Sequence, residues 1–197
     1  MKKKIIITGG LGYIGTELCK LYSGVSWHHQ IIVIDNRFIS ERVNQIRNWN
    51  MEFVQADILD KELVAKYCKD ADVVHHLAGV TEVPRTKSEA SSAQDEKIKE
   101  VGEIGTQNIL NAISDECKII FPSTHVVYEG IDKVKTDIQE HEETKPVLSY
   151  SSSKAVNEEQ LKKSGKNFVI LRLGSVYGYS TDSMRIDIMP NLFSKIA

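Results

Sequence analysis

The chain has 197 residues, 41% of them hydrophobic, which suffices for one substantial core and is small for two, so a single compact unit is expected. Its 25 basic and 27 acidic side chains leave a net charge of −2, which offers no basic face for nucleic acid. No apolar run approaches the roughly 18–20 residues that span a bilayer, so no membrane partner is expected. The apolar stretch after Met1-Lys2-Lys3-Lys4 ends at Ile7, too soon for an export signal.

The first predicted strand, near 4–8, runs straight into glycines at Gly9, Gly12 and Gly15 and then into a helix over 13–23. Glycine serves three needs in such a turn: a tight bend at Gly9, close approach of backbone to a pyrophosphate at Gly12, and close helix–strand packing at Gly15. The helix N-terminus adds N–H groups and a positive dipole end. Cys19 lies on that helix; with Cys68 and Cys117 it makes an odd, widely spaced set without CxxC spacing. Buried reduced thiols, a cytoplasmic location and no metal site are the matching expectations. A second strand, near 31–35, ends in Asp35, about 20 residues past Gly15, where an acid accepts the ribose hydroxyls of an adenosine. The same acid would repel a 2′-phosphate, which favours NAD over NADP.

Beyond Asp35 the alternation continues: a helix over 41–48, a strand near 52–55, a helix over 60–68, a strand near 72–77, a long helical stretch over 88–114 and a strand near 118–122. The opening of the long stretch, Ser88 to Glu96, is polar and reads as loop or frayed helix. Residues 129–148 hold Gly130, several acids and Pro146 without periodicity and read as a surface loop. A helix over 149–164 and a strand near 168–173 complete the pattern. Repeating βα units predict an α/β fold, a doubly wound parallel sheet of the Rossmann kind.

Tyr150 and Lys154 stand four apart at the start of the helix over 149–164, so phenol and ammonium share a face. A nearby cation stabilises phenolate, and the charge of an oxidised nicotinamide lowers the phenol's proton affinity further, which makes a general base. Ser123 and Thr124 lie at the carboxyl end of the strand near 118–122, where doubly wound sheets bind ligands. Thr124 can share a hydrogen bond with the oxygen that Tyr150 deprotonates.

In chain order, the residues from Thr8 to Gly15, Asp35-Asn36, Asp57-Ile58, His76-Leu77-Ala78-Gly79, Gly105-Thr106-Gln107-Asn108, Thr124 to Tyr128, Tyr150 to Lys154, and Leu171-Arg172 to Tyr177-Gly178 resemble a known family. It is the extended short-chain dehydrogenase/reductases that act on nucleotide sugars, including UDP-glucose 4-epimerase-like enzymes. The resemblance implies a bound NAD contacted by Gly9, Gly12, Tyr13, Ile14, Gly15, Asp35 and Asn36, with Asp57 and Ile58 framing the adenine. It also implies that Leu77, Ala78 and Gly79 pass the phosphates and ribose, and that Lys154 holds the nicotinamide ribose. Catalysis on a nucleotide sugar would fall to Thr124, Tyr150 and Lys154, and a homodimer would pair the helices over 88–114 and 149–164.

Within that family, 4,6-dehydratases place Asp and Glu directly after the catalytic Thr, and decarboxylases keep the Glu; here these positions are His125 and Val126. Valine cannot transfer a proton, so 4-epimerisation through a transient 4-keto sugar is the reading that survives. A 4-keto-sugar reductase also fits Thr124, Tyr150 and Lys154; it would normally use NADPH, which Asp35 disfavours although Arg37 leaves room for a 2′-phosphate. A non-catalytic NAD-binding module is the alternative from another class. Departures from the pattern are Gly102 for an Asn, Ser175 for an Asn, Tyr179 for a Pro and Glu129 for a Gly. Family members are considerably longer. The resemblance therefore divides the chain into an NAD-binding domain, 1–178, and the start of a truncated substrate-binding subdomain, 179–197. Ile188, Met189, Leu192, Phe193 and Ile196 would then lack their usual cover.

Overall fold

The computed structural model describes residues 1–80, 91–180, 184–186 and 188–196. Runs of β-branched residues build its centre. β1 (Lys4–Thr8) pairs in parallel with β2 (Gln30–Asp35) on one side, Ile7 opposite Val33, and with β4 (Val73–His76) on the other, Ile7 opposite His75. β3 (Glu52–Gln55) extends the sheet beyond β2, while β5 (Lys118–Thr124) and β6 (Asn167–Leu173) extend it beyond β4. The six strands run in the order β3-β2-β1-β4-β5-β6, all parallel. The order reverses between β1 and β4, and the carboxyl ends of those strands open onto the crevice where such sheets take ligands.

Alternation along each strand divides the core in two. Ile5, Ile7, Ile31 and Val33 pack with Cys19 of α1 (Tyr13–Ser23) and with Val43 and Ile46 of α2 (Ser40–Asn48). Ile6, Ile32, Ile34 and Val74 face the other layer: Val64 and Cys68 of α3 (Lys61–Cys68), Ile109 and Leu110 of α5 (Gly105–Ala112), and Leu161 of α6 (Ser149–Lys163). Strands buried on both faces need uninterrupted apolar runs, which is why the period-2 signal is absent from β1 and β2. Cys19, Cys68 and Cys117 are free and buried in these layers.

The expected long helix over 88–114 is not one regular helix. Residues 88–90 lie outside the described residues; α4 (Ser92–Lys99) starts where the Ser91 hydroxyl accepts the Gln94 N–H at 3.4 Å. A wide π-helical turn, Glu100–Ile104, then joins α4 to α5. Its loosened carbonyls are satisfied from α6: Asn157 donates to Gly102 O and Gln160 to Glu103 O, both at 3.0 Å. Residues 129–148 form an irregular excursion folded back on itself and on the turn after β5, with Gly130 N–H donating to Lys145 O and Lys145 N–H to Val127 O, each at 2.8 Å. After β6 the chain ends in α7 (Met189–Ile196), whose Met189, Phe193 and Ile196 are exposed.

Candidate functional site

The glycine turn leaves β1 at the sheet's reversal point. Gly9 has φ +68°, and a Cβ there would sit 2.7 Å from the Ala78 nitrogen. A Cβ on Gly15 would come within 2.3 Å of Gly9 O, so α1 can cross the turn only because that side chain is missing. Gly12 is the N-cap of α1 and no side chain caps this helix, which leaves its first turn to be capped by an anion. Ile14 is exposed beside it, while the Tyr13 phenol donates to Gly178 O at 2.6 Å and so ties the turn to the segment after β6. A backbone-lined turn at an uncapped helix start suits a phosphate-bearing dinucleotide.

Asp35 ends β2 directly opposite this turn. Its carboxylate is buried and already accepts four hydrogen bonds: Leu11 N–H at 3.0 Å and Arg37 Nη2 at 3.5 Å on Oδ2, then Arg37 N–H at 3.1 Å and Arg37 Nε at 3.2 Å on Oδ1. The acid expected to receive ribose hydroxyls is thus covered by a guanidinium. Asn36 donates to Asp57 Oδ2 at 3.0 Å, and Asp57 Oδ1 accepts Leu59 N–H at 2.9 Å, which fixes the end of β3 against the end of β2.

Ile58 is a core side chain. It packs so closely on α5 that a Cβ on Gly105 would meet its Cδ1 at 2.4 Å, and Asn108 donates to Ile58 O at 3.0 Å and Leu59 O at 3.3 Å. Any framing of an adenine there therefore comes from the Asp57-Ile58 backbone and the Asp57 side chain. Thr106, between Gly105 and Asn108 in sequence, hydrogen-bonds His76 Nε2 at 3.1 Å, and His76 Nδ1 meets Thr8 Oγ1 at 2.9 Å. Burial, helped by Lys154, pushes the His76 imidazolium pKa down to about 3, so this ring is a neutral strut between β1, β4 and α5. Thr8 also accepts Ala78 N–H at 3.1 Å through its hydroxyl and Leu77 N–H at 3.2 Å through its carbonyl, while Gly79 borders open space.

Thr124 ends β5, and α6, which carries Tyr150 and Lys154, packs against that strand. Lys154 Nζ donates to Pro122 O at 2.9 Å, lies 4.4 Å from the Phe121 ring centre and 5.9 Å from that of Tyr150. Burial pulls its pKa down to about 8, with the Glu158 carboxylate opposing the fall. The Tyr150 phenol is pushed up by burial, partly offset by the Arg185 guanidinium. Thr124 is buried and its Oγ1 accepts Val126 N–H at 3.3 Å, capping a 3-10 turn, His125–Tyr128, while keeping its own proton for donation. His125 is exposed and hydrogen-bonded to Leu173 O at 3.1 Å.

Three further groups support this arrangement without any local signal in the sequence. Glu158, only 1% exposed, accepts Ser123 Oγ at 2.5 Å and pairs with Arg172, Nη2 to Oε2 at 2.5 Å. Ser123 is thereby turned to α6 and away from any ligand. Glu129 Oε1 accepts Val147 N–H and Leu148 N–H at 2.8 Å each and the Ser151 hydroxyl, so one carboxylate caps the start of α6 next to Tyr150. Asn191, also buried, accepts Gly178 N–H at 2.9 Å and donates to Arg185 O at 2.8 Å.

A family model described as NAD dependent epimerase/dehydratase matches residues 5–197. The chain belongs to that family. A UDP-glucose 4-epimerase of Neisseria meningitidis serogroup C is 31% identical over 167 residues, which cover 79% of this chain and 46% of that protein. A dTDP-D-glucose 4,6-dehydratase of Dictyostelium discoideum is 30% identical over 197 residues, 89% of this chain and 44% of that protein. The UDP-glucuronic acid 4-epimerase from Bacillus cereus, solved with UDP-glucuronic acid and NAD, has a TM-score of 0.75 at 27% identity, over 95% of this chain and 60% of that one. The chain thus spans about half the length of the curated relatives it matches. Two of its departures from the usual epimerase/dehydratase pattern have a local reason. Gly102 leaves room for Ser153, whose Oγ would be 2.3 Å from a Cβ, and Glu129 supplies the α6 cap. Ser175 and Tyr179 are exposed, and nothing in the structure explains their identity.

Proposed function

We propose that this chain carries the NAD-binding and proton-transfer part of a nucleotide-sugar 4-epimerase, with 1–178 as that domain and 179–197 as the start of a substrate-binding subdomain. The observation that carries the reading is the Lys154 ammonium beside the Tyr150 ring and on Pro122 O of β5, the strand that ends in Thr124, in a sheet whose β1 leads into a glycine turn with an uncapped helix start. Backbone of Gly9 to Gly15 and the segment Leu77 to Gly79 would hold the dinucleotide, with Asp35, Asn36, Asp57 and Ile58 at its adenosine end. The chemistry NAD supplies when bound is hydride acceptance from, and return to, the sugar C4.

Within this reading Tyr150 Oη takes the proton of the sugar 4-hydroxyl, and Thr124 Oγ1 donates a hydrogen bond that orients the same oxygen. The Lys154 ammonium favours the phenolate against the cost of its burial and reaches the nicotinamide ribose. Tyr150 then returns the proton after the 4-keto sugar has turned its other face, so the cycle needs no further acid or base. The half-buried Val126 offers no proton where a dehydratase or decarboxylase has its Glu, which supports epimerisation over those reactions. Three buried thiols suit a cytoplasmic protein.

Proton NMR of the purified protein with NAD and a panel of UDP-, dTDP- and GDP-sugars tests this. Interconversion of 4-hydroxyl epimers is the expected result. Formation of a 4-keto-6-deoxy sugar would assign the dehydratase reaction instead, consumption of reduced dinucleotide by a 4-keto sugar the reductase reaction, and dinucleotide binding without turnover a binding module.

A further inference from the structure

We propose that the adenosine end of the site admits a 2′-phosphate, so that this protein binds NADP as well as NAD, with Arg37 as the phosphate contact. The inference rests on the dinucleotide reading above and concerns which dinucleotide is accepted.

An acid at the end of β2 excludes NADP by two means: a bare negative charge at the 2′ position and lone pairs that prefer hydroxyl donors. Neither condition holds here. Arg37 Nε lies 3.2 Å from Asp35 Oδ1, and its Nη2 lies 3.5 Å from Oδ2, so the guanidinium straddles the carboxylate. Backbone N–H groups of Leu11 and Arg37 occupy further lone pairs. A carboxylate offers about four acceptor positions. Both ribose hydroxyls can bind only if the guanidinium moves.

The guanidinium is built to move and stay close. Asp35 is fixed, its side chain 4% exposed, whereas the Arg37 side chain is 55% exposed and hangs over the glycine turn, its Nη2 3.9 Å from the position of a Cβ on Gly12. Released from Asp35, it remains tethered two residues beyond the acid, on the side of the turn where the ribose would lie. A second guanidinium stands behind it: Arg42 of α2 donates to Leu11 O, on the same residue whose N–H binds Asp35. The other acid at this edge, Asp57, faces Asn36 and Leu59 N–H. The Arg37 guanidinium therefore offsets the Asp35 carboxylate, where the bare motif would present only negative charge. Arginine matches a phosphate with two parallel donors, while toward an uncharged hydroxyl it gains little.

Isothermal titration calorimetry of the protein stripped of dinucleotide, with NAD and NADP in turn, tests the proposal. NADP is expected within about tenfold of NAD in Kd, and Arg37→Leu to weaken NADP at least about tenfold while NAD stays within about threefold. Added salt should weaken NADP more steeply than NAD in the unaltered protein and equally in the variant. Arg37→Gln, which removes the charge but keeps a polar side chain at an exposed position, guards against a folding artefact. NAD binding with NADP more than about a hundredfold weaker would overturn the proposal and leave the dinucleotide site standing. Equal loss of both ligands in both variants would also overturn it, by making Arg37 a structural residue. Binding of neither ligand to the unaltered protein would remove the dinucleotide reading itself.

Discussion

Burial shifts the proton affinities of Tyr150 and Lys154 in opposite directions, the phenol upward and the ammonium down to about 8. Both shifts favour the neutral side chains, so what favours the charged pair that a base mechanism needs is Pro122 O and the Phe121 ring at the ammonium and the charge of Arg185 at the phenol. Tyr150→Phe should keep dinucleotide affinity, read by calorimetry, and lower kcat by about a hundredfold or more, the usual worth of a general base. Lys154 gives a separate pH test. Its pKa falls from the ordinary lysine value of 10.5 to about 8 in the fold, so between those values the unfolded chain binds more protons and stability rises with pH. Below about pH 8 the ammonium is a cost that Lys154→Met removes. The variant's advantage in Tm over the unaltered protein should therefore shrink as pH is raised from about 7 to about 10, and a constant difference would show that the ammonium is not buried as described.

At the level of elements, the strands and helices were legible because β1, β2, β4 and β5 are apolar runs of strand length and the helices between them carry caps or periodicity. Motifs that join residues close in sequence, such as Gly9 to Gly15 or Tyr150 to Lys154, were readable for the same reason. What escaped were contacts across long loops. Glu129 read as a departure from a glycine, yet it caps α6 across about 20 residues of irregular chain, and Glu158–Arg172 joins α6 to β6. The π-helical turn was equally hidden, since it depends on Asn157 and Gln160 reaching over from α6. Burial would raise the Glu158 carboxyl, but Arg172 and Ser123 outweigh it and hold the group below its ordinary range. Its contribution is thus present above the ordinary glutamate range and is lost as pH falls through the lowered value. Glu158→Ala should cost about 3–5 kcal/mol by leaving Arg172 without its buried partner, and pairing it with Arg172→Met should recover part of that in urea unfolding. For Glu129→Ala, loss of the cap predicts a stability cost of about 1 kcal/mol. Its kcat should fall more than its NAD affinity changes, because Ser151 adjoins Tyr150 while the glycine turn lies elsewhere.

On the scale of the whole molecule, the proposed ligand lies across the line where the sheet reverses. Helices α1 and α2 pack on one face of the sheet and α3, α5 and α6 on the other, so the two halves of the core share strands β1 to β4, and the crevice opens at the carboxyl ends of β1 and β4. The segment after β6 closes on the same place through Tyr13, Gly178 and Asn191, with Ser180 reaching Glu17 at 2.5 Å. A dinucleotide spanning Asp35, the glycine turn and the Leu77-Ala78-Gly79 segment would tie both halves and that segment together, and binding to the folded state alone must raise its stability. At a free concentration about a hundredfold above Kd the gain is about 2.7 kcal/mol. For a chain of this size each kcal/mol moves Tm by roughly 2–4 °C, so NAD should raise the melting temperature by about 5–10 °C. Asp35→Ala also removes the carboxylate that holds Leu11 N–H, so the unliganded Tm is expected to drop too; the informative quantity is the NAD-induced increment. That increment should shrink sharply in Asp35→Ala and survive in Tyr150→Phe. If differential scanning fluorimetry gave the same NAD-induced rise with and without the Asp35 carboxylate, the adenosine end would have to be sought away from β2.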